Sequence, residues 1–334
     1  MTNSIAAERA QLMDLISQLP ETDFEALTLA VFRYQARYNP LYREYLKLLR
    51  VSPTQVLSIP QIPFLPIAFF KNHSIKSGNW STETEFSSSG TTGASTSVHH
   101  VRNTDWYRKI ARKAFQTTYG NLNRYCVLAL LPAYLERQGS SLVFMVDDFI
   151  RHSAYHQSGF FLDDLEEMLA IIGRCRSEAI PVLLIGVSFA LWELAEKYPQ
   201  DLSGVTIMET GGMKGRRREI TRTELHEILK KAFAVPHIHS EYGMTELFSQ
   251  AYAPRDGKFI PAPTMKVLTR EITDPLSISQ PGKTGVINMI DMANLDTISF
   301  IATDDLGKVY PDGTFEVLGR LDASDIRGCN LMVD

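Results

Sequence analysis

The segment EFSSSGTTGAST, residues 85–96, carries five hydroxyl side chains and two glycines between Phe86 and Ala94. Glycine frees the backbone to approach a ligand, and hydroxyl groups supply hydrogen-bond donors that suit phosphate oxygens. Consecutive amides in such a turn form a concavity that binds anions. The segment therefore predicts a loop that grips a polyphosphate, although its composition alone would also fit a flexible linker.

Three later segments favour the phosphate-binding interpretation. SEYGMTE, residues 240–246, offers an aromatic ring, a glycine, a hydroxyl and a carboxylate just after a predicted strand. ATDDLG, residues 302–307, places two carboxylates at a strand end, and GRLDASDIRG, residues 319–328, places an arginine beside a turn. The first loop is not the P-loop of kinases and ATPases, because no lysine follows Gly93 as that motif requires.

In this order, the four segments resemble the core motifs of the acyl-adenylate-forming superfamily, namely SSGTTG, YGMTE, T-x-D and G-R-x-D. The chain is more closely similar to the acyl-protein synthetase (LuxE-type) family, with the phenylacetate–CoA ligases next. This resemblance runs from about residue 24 to the end of the chain. The stretches that carry it are FRYQARYNPLYREYL, LPIAFFK, LLPAYLERQGSSLVFMV and IRGCNLM.

The resemblance implies an α/β fold, the large lobe of an acyl-adenylate-forming enzyme, with mixed or parallel sheets covered by helices. The β-rich C-terminal third would follow, and the family's small mobile C-terminal domain would be reduced to a stub after Arg320. We expect four parts. They are a helical N-terminal region with a Pro-rich linker (1–80), a nucleotide-binding core (81–253), a β-rich subdomain (254–320) and a tail (321–334).

Hydrophobic patterning supports this architecture independently. Asp23 is placed to cap a helix that Pro40 interrupts, and from Tyr125 onward short apolar runs alternate with helical patterns, which predicts a mostly parallel sheet. Among those runs, Cys126 to Leu131 and Leu142 to Val146 are interpreted as strands. After Pro254 short strands dominate, and Pro311-Asp312-Gly313 is a turn signal between two of them.

By resemblance, the loop of residues 85–96, called the hydroxyl loop below, would hold the β- and γ-phosphates of ATP. Thr245 would bind the α-phosphate, and Glu246 would coordinate Mg²⁺. The residue types fit, since a hydroxyl suits an oxyanion and a carboxylate oxygen suits a hard cation. The alternative without a catalytic role is that Glu246 lies in the first turn of a helix, where the helix dipole favours a carboxylate. The implied phosphate-binding residues are Ser88, Ser89, Gly90, Thr91, Thr92 and Gly93.

The adenosine would be bound by Tyr242 stacking on adenine, by glycines along its edge, and by Asp305 at the ribose hydroxyls, with Asp304 as the second choice. The implied adenine- and ribose-binding residues are Gly211, Gly212, Tyr242, Gly243, Asp305 and Arg320. Relatives often carry Pro-Lys shortly after the loop, where this chain has Ser95-Thr96. The basic cluster at 214–218 either compensates for that lysine or is a solvated helix start.

Cys329 is implied as the third catalytic residue, because acyl-protein synthetases carry the acyl group as a thioester on a cysteine near the C-terminus. A thiolate is a strong nucleophile, and Arg327 would lower the pKa of this thiol. The alternatives are a ligase that transfers to coenzyme A or a carrier protein, and a non-catalytic nucleotide-binding scaffold. Cys126, inside the run CVLALL, is expected in the core.

Composition limits the classes of partner and the cellular compartment that we expect for this chain. The net charge of −4 comes without a long basic run, which argues against nucleic acid as the main partner. The start of the chain has no secretory pattern, no run is long enough to span a bilayer, and the three cysteines are sparse, so we expect a cytoplasmic protein. The resemblance implies ATP and Mg²⁺ as cofactors and a carboxylic acid as substrate. It implies an acyl-transferase, and an acyl reductase or carrier protein, as candidate partners.

Overall fold

The computed structural model describes residues 2–88, 96–131, 139–162, 164–211 and 220–321. The helices are α1 Thr2–Ser17, α2 Phe24–Tyr38, α3 Pro40–Leu48, α4 Phe69–Asn72, α5 Thr104–Tyr119, α6 Ser141–His152, α7 Leu165–Ser177, α8 Ser188–Lys197 and α9 Arg222–Phe233. The strands are β1 Leu65–Pro66, β2 Thr84–Ser87, β3 Val98–Val101, β4 Cys126–Leu130, β5 Gly159–Phe160, β6 Val182–Val187, β7 Thr206–Thr210, β8 His239–Tyr242, β9 Ala251–Ala253, β10 Ile260–Pro261, β11 Met265–Arg270, β12 Thr284–Asp291, β13 Phe300–Val309 and β14 Phe315–Arg320.

The chain forms two compact units. The first comprises Met1–Tyr107, Glu246–Ser249 and Pro263–Asp334, and the second comprises Arg108–Thr245 and Gln250–Ala262. The four-part division expected from the sequence stays a prediction. None of the described helices is long and apolar enough to cross a membrane.

The second unit is built on a seven-stranded sheet among the described residues, in the order β10-β9-β8-β7-β6-β4-β5. The strands from β5 to β8 run parallel, and β9 and β10 continue the sheet antiparallel. Every residue of β4 and β6 is buried, as is usual where helices cover both faces of a parallel sheet. The predicted mostly parallel sheet is confirmed. The carboxyl ends of β6, β7 and β8 lie at one edge, where such sheets usually bind their ligands.

The first unit contains the β-rich C-terminal third. β11, β12 and β13 are antiparallel neighbours, β14 pairs with β13, and the short β1 adds to β13 in parallel. The predicted turn at 311–313 is confirmed, since Gly313 N donates to Tyr310 O over 3.0 Å. A separate hairpin of β2 and β3 carries the hydroxyl loop, with Phe86 opposite His99.

The N-terminal helices begin and end where the sequence places their signals. The Asp23 carboxylate accepts hydrogen bonds from Glu25 N at 2.9 Å and Ala26 N at 3.1 Å, which caps α2 as predicted. Asn39 ends α2 and then accepts from Tyr42 N at 3.0 Å, while Pro40 begins α3. Proline in this position lacks an N–H that the first helical turn would leave unpaired in any case.

Two predicted strand assignments are wrong. Leu142 to Val146 is part of helix α6, because the Ser140 hydroxyl accepts from Val143 N at 3.3 Å and caps a helix there. A short apolar run cannot by itself distinguish a strand from a buried helix segment. The segments Ile298 to Ala302 and Gly307 to Tyr310, which the sequence predicts as two separate short strands, contribute to one strand, β13, whose pairing with β14 shifts register between Leu306 and Gly307.

Candidate functional site

The hydroxyl loop leaves β2 at Ser88 and returns to β3 through Ser97. Ser88 N donates to Ser97 O over 3.0 Å, and Ser97 N donates to Ser88 Oγ over 2.9 Å. These reciprocal bonds join the end of β2 to the residue before β3 and form the base of the loop. Of the predicted phosphate-binding residues, Ser88 lies in this base, whereas Ser89 to Gly93 lie outside the described residues.

Glu246 belongs to the same unit as the loop base, and its side chain is buried. The Ser97 side chain hydrogen-bonds the Glu246 carboxylate, as does the backbone of Glu246 itself. Burial raises the pKa of Glu246, and the Ser97 bond and the charge of Arg320 oppose this rise. Ser97 therefore joins the loop base to the carboxylate. It was missed in the sequence, because one more serine beside a serine-rich loop gives no distinguishing signal.

Asp305 and Arg320 lie opposite each other on β13 and β14. Arg320 Nε approaches Asp305 Oδ1 at 3.4 Å, with the Arg320 side chain 67% exposed and the Asp305 side chain 10% exposed. Thr303 Oγ1 accepts from Asp305 N at 3.1 Å and donates to Ile287 O over 2.8 Å, which fixes the backbone at Asp305. Asp304, the second choice for the ribose, is exposed.

Both of these charged side chains act on Glu246. Burial has the largest effect on the pKa of Glu246 and raises it. The charge of Arg320 lowers this pKa and the charge of Asp305 raises it, and both effects are smaller than that of burial. The structure thus brings the loop base, the Glu of YGMTE, the Asp of T-x-D and the Arg of G-R together within one unit. These segments are separated by up to 232 positions in the sequence, from Ser88 to Arg320.

The second unit carries Tyr242 and Gly243 at the carboxyl end of β8. Tyr242 is buried, its ring meets the Phe259 ring edge-on at 5.7 Å between centroids, and its hydroxyl donates to Met244 Sδ over 3.8 Å. Gly243 is exposed and allows a close approach, since a Cβ there would lie 2.5 Å from Glu241 Oε1. Thr245 is half-buried in the same unit.

Two buried carboxylates lie on the neighbouring strands β7 and β8. Burial would raise the pKa of Glu209, but hydrogen bonds from His226 and Ser240 and the charge of Arg222 outweigh it and lower this pKa. Arg222 Nε lies 3.0 Å from Glu209 Oε1. Burial raises the pKa of Glu241 to about 7, opposed by a hydrogen bond from Thr210 Oγ1 and reinforced by the charge of Glu209.

Gly211 follows β7 at the same sheet edge as Tyr242. The Ser188 hydroxyl, at the start of α8, lies 2.9 Å from Gly211 O and 3.1 Å from Glu209 Oε2. Of the predicted adenine- and ribose-binding residues, Gly211, Tyr242 and Gly243 therefore share one edge of this sheet, whereas Asp305 and Arg320 lie on β13 and β14 of the first unit. Gly212 and the basic cluster at 214–218 lie outside the described residues.

The oxygen donors around Glu246 fit a hard divalent cation. Mg²⁺ is usually bound by one or two carboxylates, substrate phosphates and several waters. Glu246 with Asp305 nearby supplies such carboxylates, and Ser88 and Ser97 supply hydroxyls. In the described part of the chain, at this site or elsewhere, no cluster of three or more His, Cys, Asp or Glu side chains is present, so a cation here would take its remaining ligands from substrate phosphates and water.

The two described cysteines are core residues. Cys126 on β4 and Cys175 on α7 are fully buried, and burial raises the pKa of Cys126 to about 12, with Cys175 adding to the rise. A thiol with such a pKa is a poor nucleophile at neutral pH. Cys329 lies outside the described residues.

Comparison with known proteins identifies the family and the fold. The family model described as "Acyl-protein synthetase, LuxE" matches residues 10–334. ATP-bound MatB from Rhodopseudomonas palustris is similar with a TM-score of 0.52 and 17% identity, over 75% of this chain and 49% of that chain. An open conformation of 2-hydroxyisobutyryl-CoA ligase in complex with 2-HIB-AMP and CoA has a TM-score of 0.62 and 13% identity, over 88% of this chain and 73% of that chain. No curated protein matched the sequence.

At these identities the similarity concerns the fold. It confirms the expected mixed α/β architecture of the large lobe of acyl-adenylate-forming enzymes. The chain spans about half the length of MatB.

Proposed function

Because the chain belongs to the acyl-protein synthetase (LuxE) family, we propose that it activates a carboxylic acid with ATP and transfers the acyl group to a thiol. The acid is a fatty acid and the thiol is that of Cys329, so the product is an acyl-protein thioester. An acyl-transferase that supplies the acid and a reductase or carrier protein that receives the acyl group are the partners that fit this chemistry.

The observation that carries the proposal is the grouping around Glu246. Ser97 bonds both the base of the hydroxyl loop and the Glu246 carboxylate, and the charges of Asp305 and Arg320 act on the same carboxylate. Four segments that the family resemblance links to ATP thus converge on one buried acid. A nucleotide-binding remnant without activity would have no need of a Mg²⁺ ligand, which is the role we propose for Glu246.

In the first half-reaction, one oxygen of the substrate carboxylate attacks the α-phosphorus of ATP. A P–O bond to that oxygen forms, the P–O bond to the β-phosphate breaks, and pyrophosphate leaves with the electron pair. Negative charge develops on the α-phosphate oxygens, where the Thr245 hydroxyl donates a hydrogen bond. By the family resemblance, the loop that begins at Ser88 would hold the β- and γ-phosphates, Tyr242 would stack on adenine, and Asp305 would accept hydrogen bonds from the ribose hydroxyls.

Glu246 would hold Mg²⁺, and the charge of Asp305 also acts at this position. When bound, this ion would neutralise the charge of the phosphate oxygens. Ser97 orients the Glu246 carboxylate, and Arg320 supplies positive charge beside it. Arg320 also offers cationic charge in a chain that has no lysine directly after the hydroxyl loop.

In the second half-reaction, the Cys329 thiol loses its proton and the thiolate attacks the acyl carbonyl carbon. A C–S bond forms, the C–O bond to the α-phosphate breaks, and AMP leaves. Cys126 and Cys175 are unsuited to this role because both are buried in the core.

The first test is exchange of labelled pyrophosphate into ATP, measured with acids from acetate to palmitate. We expect exchange that depends on the acid and on Mg²⁺, and we expect Glu246→Gln to lower it at least about 100-fold, the upper end of the effects of groups that merely orient a metal ligand. Glu271→Gln, an exposed glutamate of the same unit, is the matched control. Absence of exchange with every acid, also after addition of candidate partners, would contradict acyl-adenylate formation.

The second test identifies the acceptor by intact-mass spectrometry after incubation with ATP, Mg²⁺ and the active acid. We expect an added acyl mass that neutral hydroxylamine removes and that Cys329→Ala abolishes while pyrophosphate exchange is retained. Cys126→Ala and Cys175→Ala should keep the added mass. If the label survives Cys329→Ala, or if it appears only on added coenzyme A or a carrier protein, the acceptor assignment is wrong.

A further inference from the structure

The segment that carries Glu246 is held in the first unit by a buried aspartate. Asp291, at the end of β12, accepts hydrogen bonds at Oδ2 from Phe248 N at 2.7 Å and from Ser249 N at 2.8 Å. Its Oδ1 accepts from Ser249 Oγ at 2.6 Å and from Ala293 N at 3.0 Å. All four bonds converge on a side chain that is fully buried.

The other side of Glu246 is held by an asparagine. Asn294 Nδ2 donates to Glu246 O over 2.7 Å and to Ile298 O over 3.2 Å. Asp291 is the N-cap of a single 3₁₀ turn, Met292–Asn294, and Asn294 is the last residue of that turn, so the two side chains are fixed relative to each other. The peptide carbonyl of Glu246 and the amides two and three residues later are therefore attached to one short, rigid element.

This arrangement determines where the Glu246 carboxylate can point. Its main chain is fixed by the turn, and its side chain is hydrogen-bonded by Ser97. Mg²⁺ demands near-ideal octahedral geometry, so the position of a ligand carboxylate must be set closely. Groups that orient metal ligands typically affect metal affinity or activity about 10- to 100-fold when they are removed.

We propose that Asp291 and Asn294 are positioning residues, which hold the segment Glu246–Ser249 so that the Glu246 carboxylate meets the metal of Mg·ATP. The inference rests on the proposed function of Glu246 as the Mg²⁺ ligand. Both side chains are buried and bind the main chain of this segment, so neither is assigned a contact with the nucleotide. Their effect passes through the main chain of the segment they bind.

Asp291→Asn tests this with almost no change in volume. An amide group in place of one carboxylate oxygen presents two N–H donors to groups that are themselves donors, so at least one pair of the four bonds is lost. We expect the Phe248 and Ser249 amides to lose protection in hydrogen exchange, measured on the peptide that covers 246–249.

The second measurement is ATP binding by titration calorimetry, once with Mg²⁺ and once with EDTA. For the wild-type chain we expect Mg²⁺ to tighten binding. For Asp291→Asn we expect this Mg²⁺-dependent gain to fall about 10- to 100-fold, with the affinity in EDTA unchanged. Asp296→Asn is the control, because Asp296 lies in the same unit and its carboxylate bonds Arg9 and Arg102 instead.

Ser249→Ala provides a milder variant should Asp291→Asn fail to fold. It removes one donor to Asp291 and introduces none, so we expect a smaller loss of the same Mg²⁺-dependent gain. The inference is overturned if the gain and the exchange protection are unchanged in both variants, or if affinity falls equally with Mg²⁺ and with EDTA. If Mg²⁺-dependent binding responds as expected while the wild-type chain shows no pyrophosphate exchange, the positioning role stands and the proposed reaction fails.

Discussion

Replacing Glu241 by glutamine should make the second unit more stable at neutral and alkaline pH. Glu241 is buried on β8, Thr210 Oγ1 donates to its carboxylate, and Gly243 packs against its other oxygen. The charge of Glu209 on the neighbouring strand opposes ionisation of Glu241. Burial and this charge together raise the pKa of Glu241 to about 7, from an ordinary value of 4.5.

The size of the effect follows from this pKa. One pKa unit between the folded and unfolded chain corresponds to about 1.4 kcal/mol, so ionising Glu241 in the folded state costs on the order of 3 kcal/mol relative to the unfolded chain. Below pH 4.5 the carboxyl is protonated in both states, and this contribution is fully present. As the pH rises from 4.5 to 7 the unfolded chain releases the proton first, so stability is lost, and above pH 7 the loss is complete.

The assay is chemical unfolding between pH 5 and pH 8, followed by the fluorescence of Trp192 in α8. Trp80 and Trp106, the other two tryptophans, lie in the first unit and are replaced by phenylalanine, so that the signal reports the second unit. Glutamine keeps the shape of the side chain and an acceptor for Thr210, and it does not titrate. The free energy of unfolding of Glu241→Gln minus that of the parent should therefore grow by about 2–3 kcal/mol from pH 5 to pH 8.

Using this difference cancels the titration of the groups that the two proteins share and that do not interact with Glu241. Glu196→Gln, an exposed glutamate of α8, is the control, and its difference from the parent should stay constant over the same pH range. A constant difference for Glu241→Gln as well would show that Glu241 titrates normally in the folded chain, and the reasoning would be refuted.

Two further predictions concern the same edge of the parallel sheet and the Asp305–Arg320 pair. Gly243→Ala should lower the free energy of unfolding by about 1–3 kcal/mol and lower the melting temperature with it, because the new Cβ would lie 2.5 Å from Glu241 Oε1. A calorimetric melting temperature equal to that of the parent would contradict this contact. Asp305→Asn should raise the KM for ATP by about 10-fold or more with kcat little changed, because a hydrogen bond to a charged group contributes about 1.5–3 kcal/mol. A fall in kcat alone would assign Asp305 to the chemical step instead of to ribose binding.

Features of the sheet and of the site could be predicted from the sequence wherever they depend on neighbouring residues or on a local motif. Asp23 and Pro40 act through hydrogen bonds and backbone angles of adjacent residues, so their effects are visible in a few letters of sequence. The continuous apolar runs of β4 and β6 reflect burial on both faces of a parallel sheet. Glu246, Asp305 and Arg320 were selected by their motifs, and the structure brings them together.

What the sequence did not predict depends on residues far apart in the chain. The Leu142 to Val146 run is apolar in a helix and would be apolar in a strand, and the deciding cap is a single serine. Ser97 becomes notable only through its bond to Glu246, 149 positions later in the chain. Asp291 is one acidic residue after a strand, and its four bonds to the segment 248–249 and to Ala293 exist only in the folded chain.

The buried carboxylates of the two units differ in how many of their lone pairs are already used, and this difference supports the role assigned to Glu246. Asp291 accepts four hydrogen bonds, and Glu209 is paired with Arg222 and His226. A carboxylate with this many partners has little capacity left for a cation, since its two oxygens offer about four acceptor sites. Among the described residues, fewer hydrogen bonds reach Glu246, namely those from Ser97 and from its own backbone, with Arg320 acting through its charge. A carboxylate that is buried, fixed in direction and able to accept further ligands is what a metal ligand requires before the metal binds, and Asp291 contributes by fixing the direction.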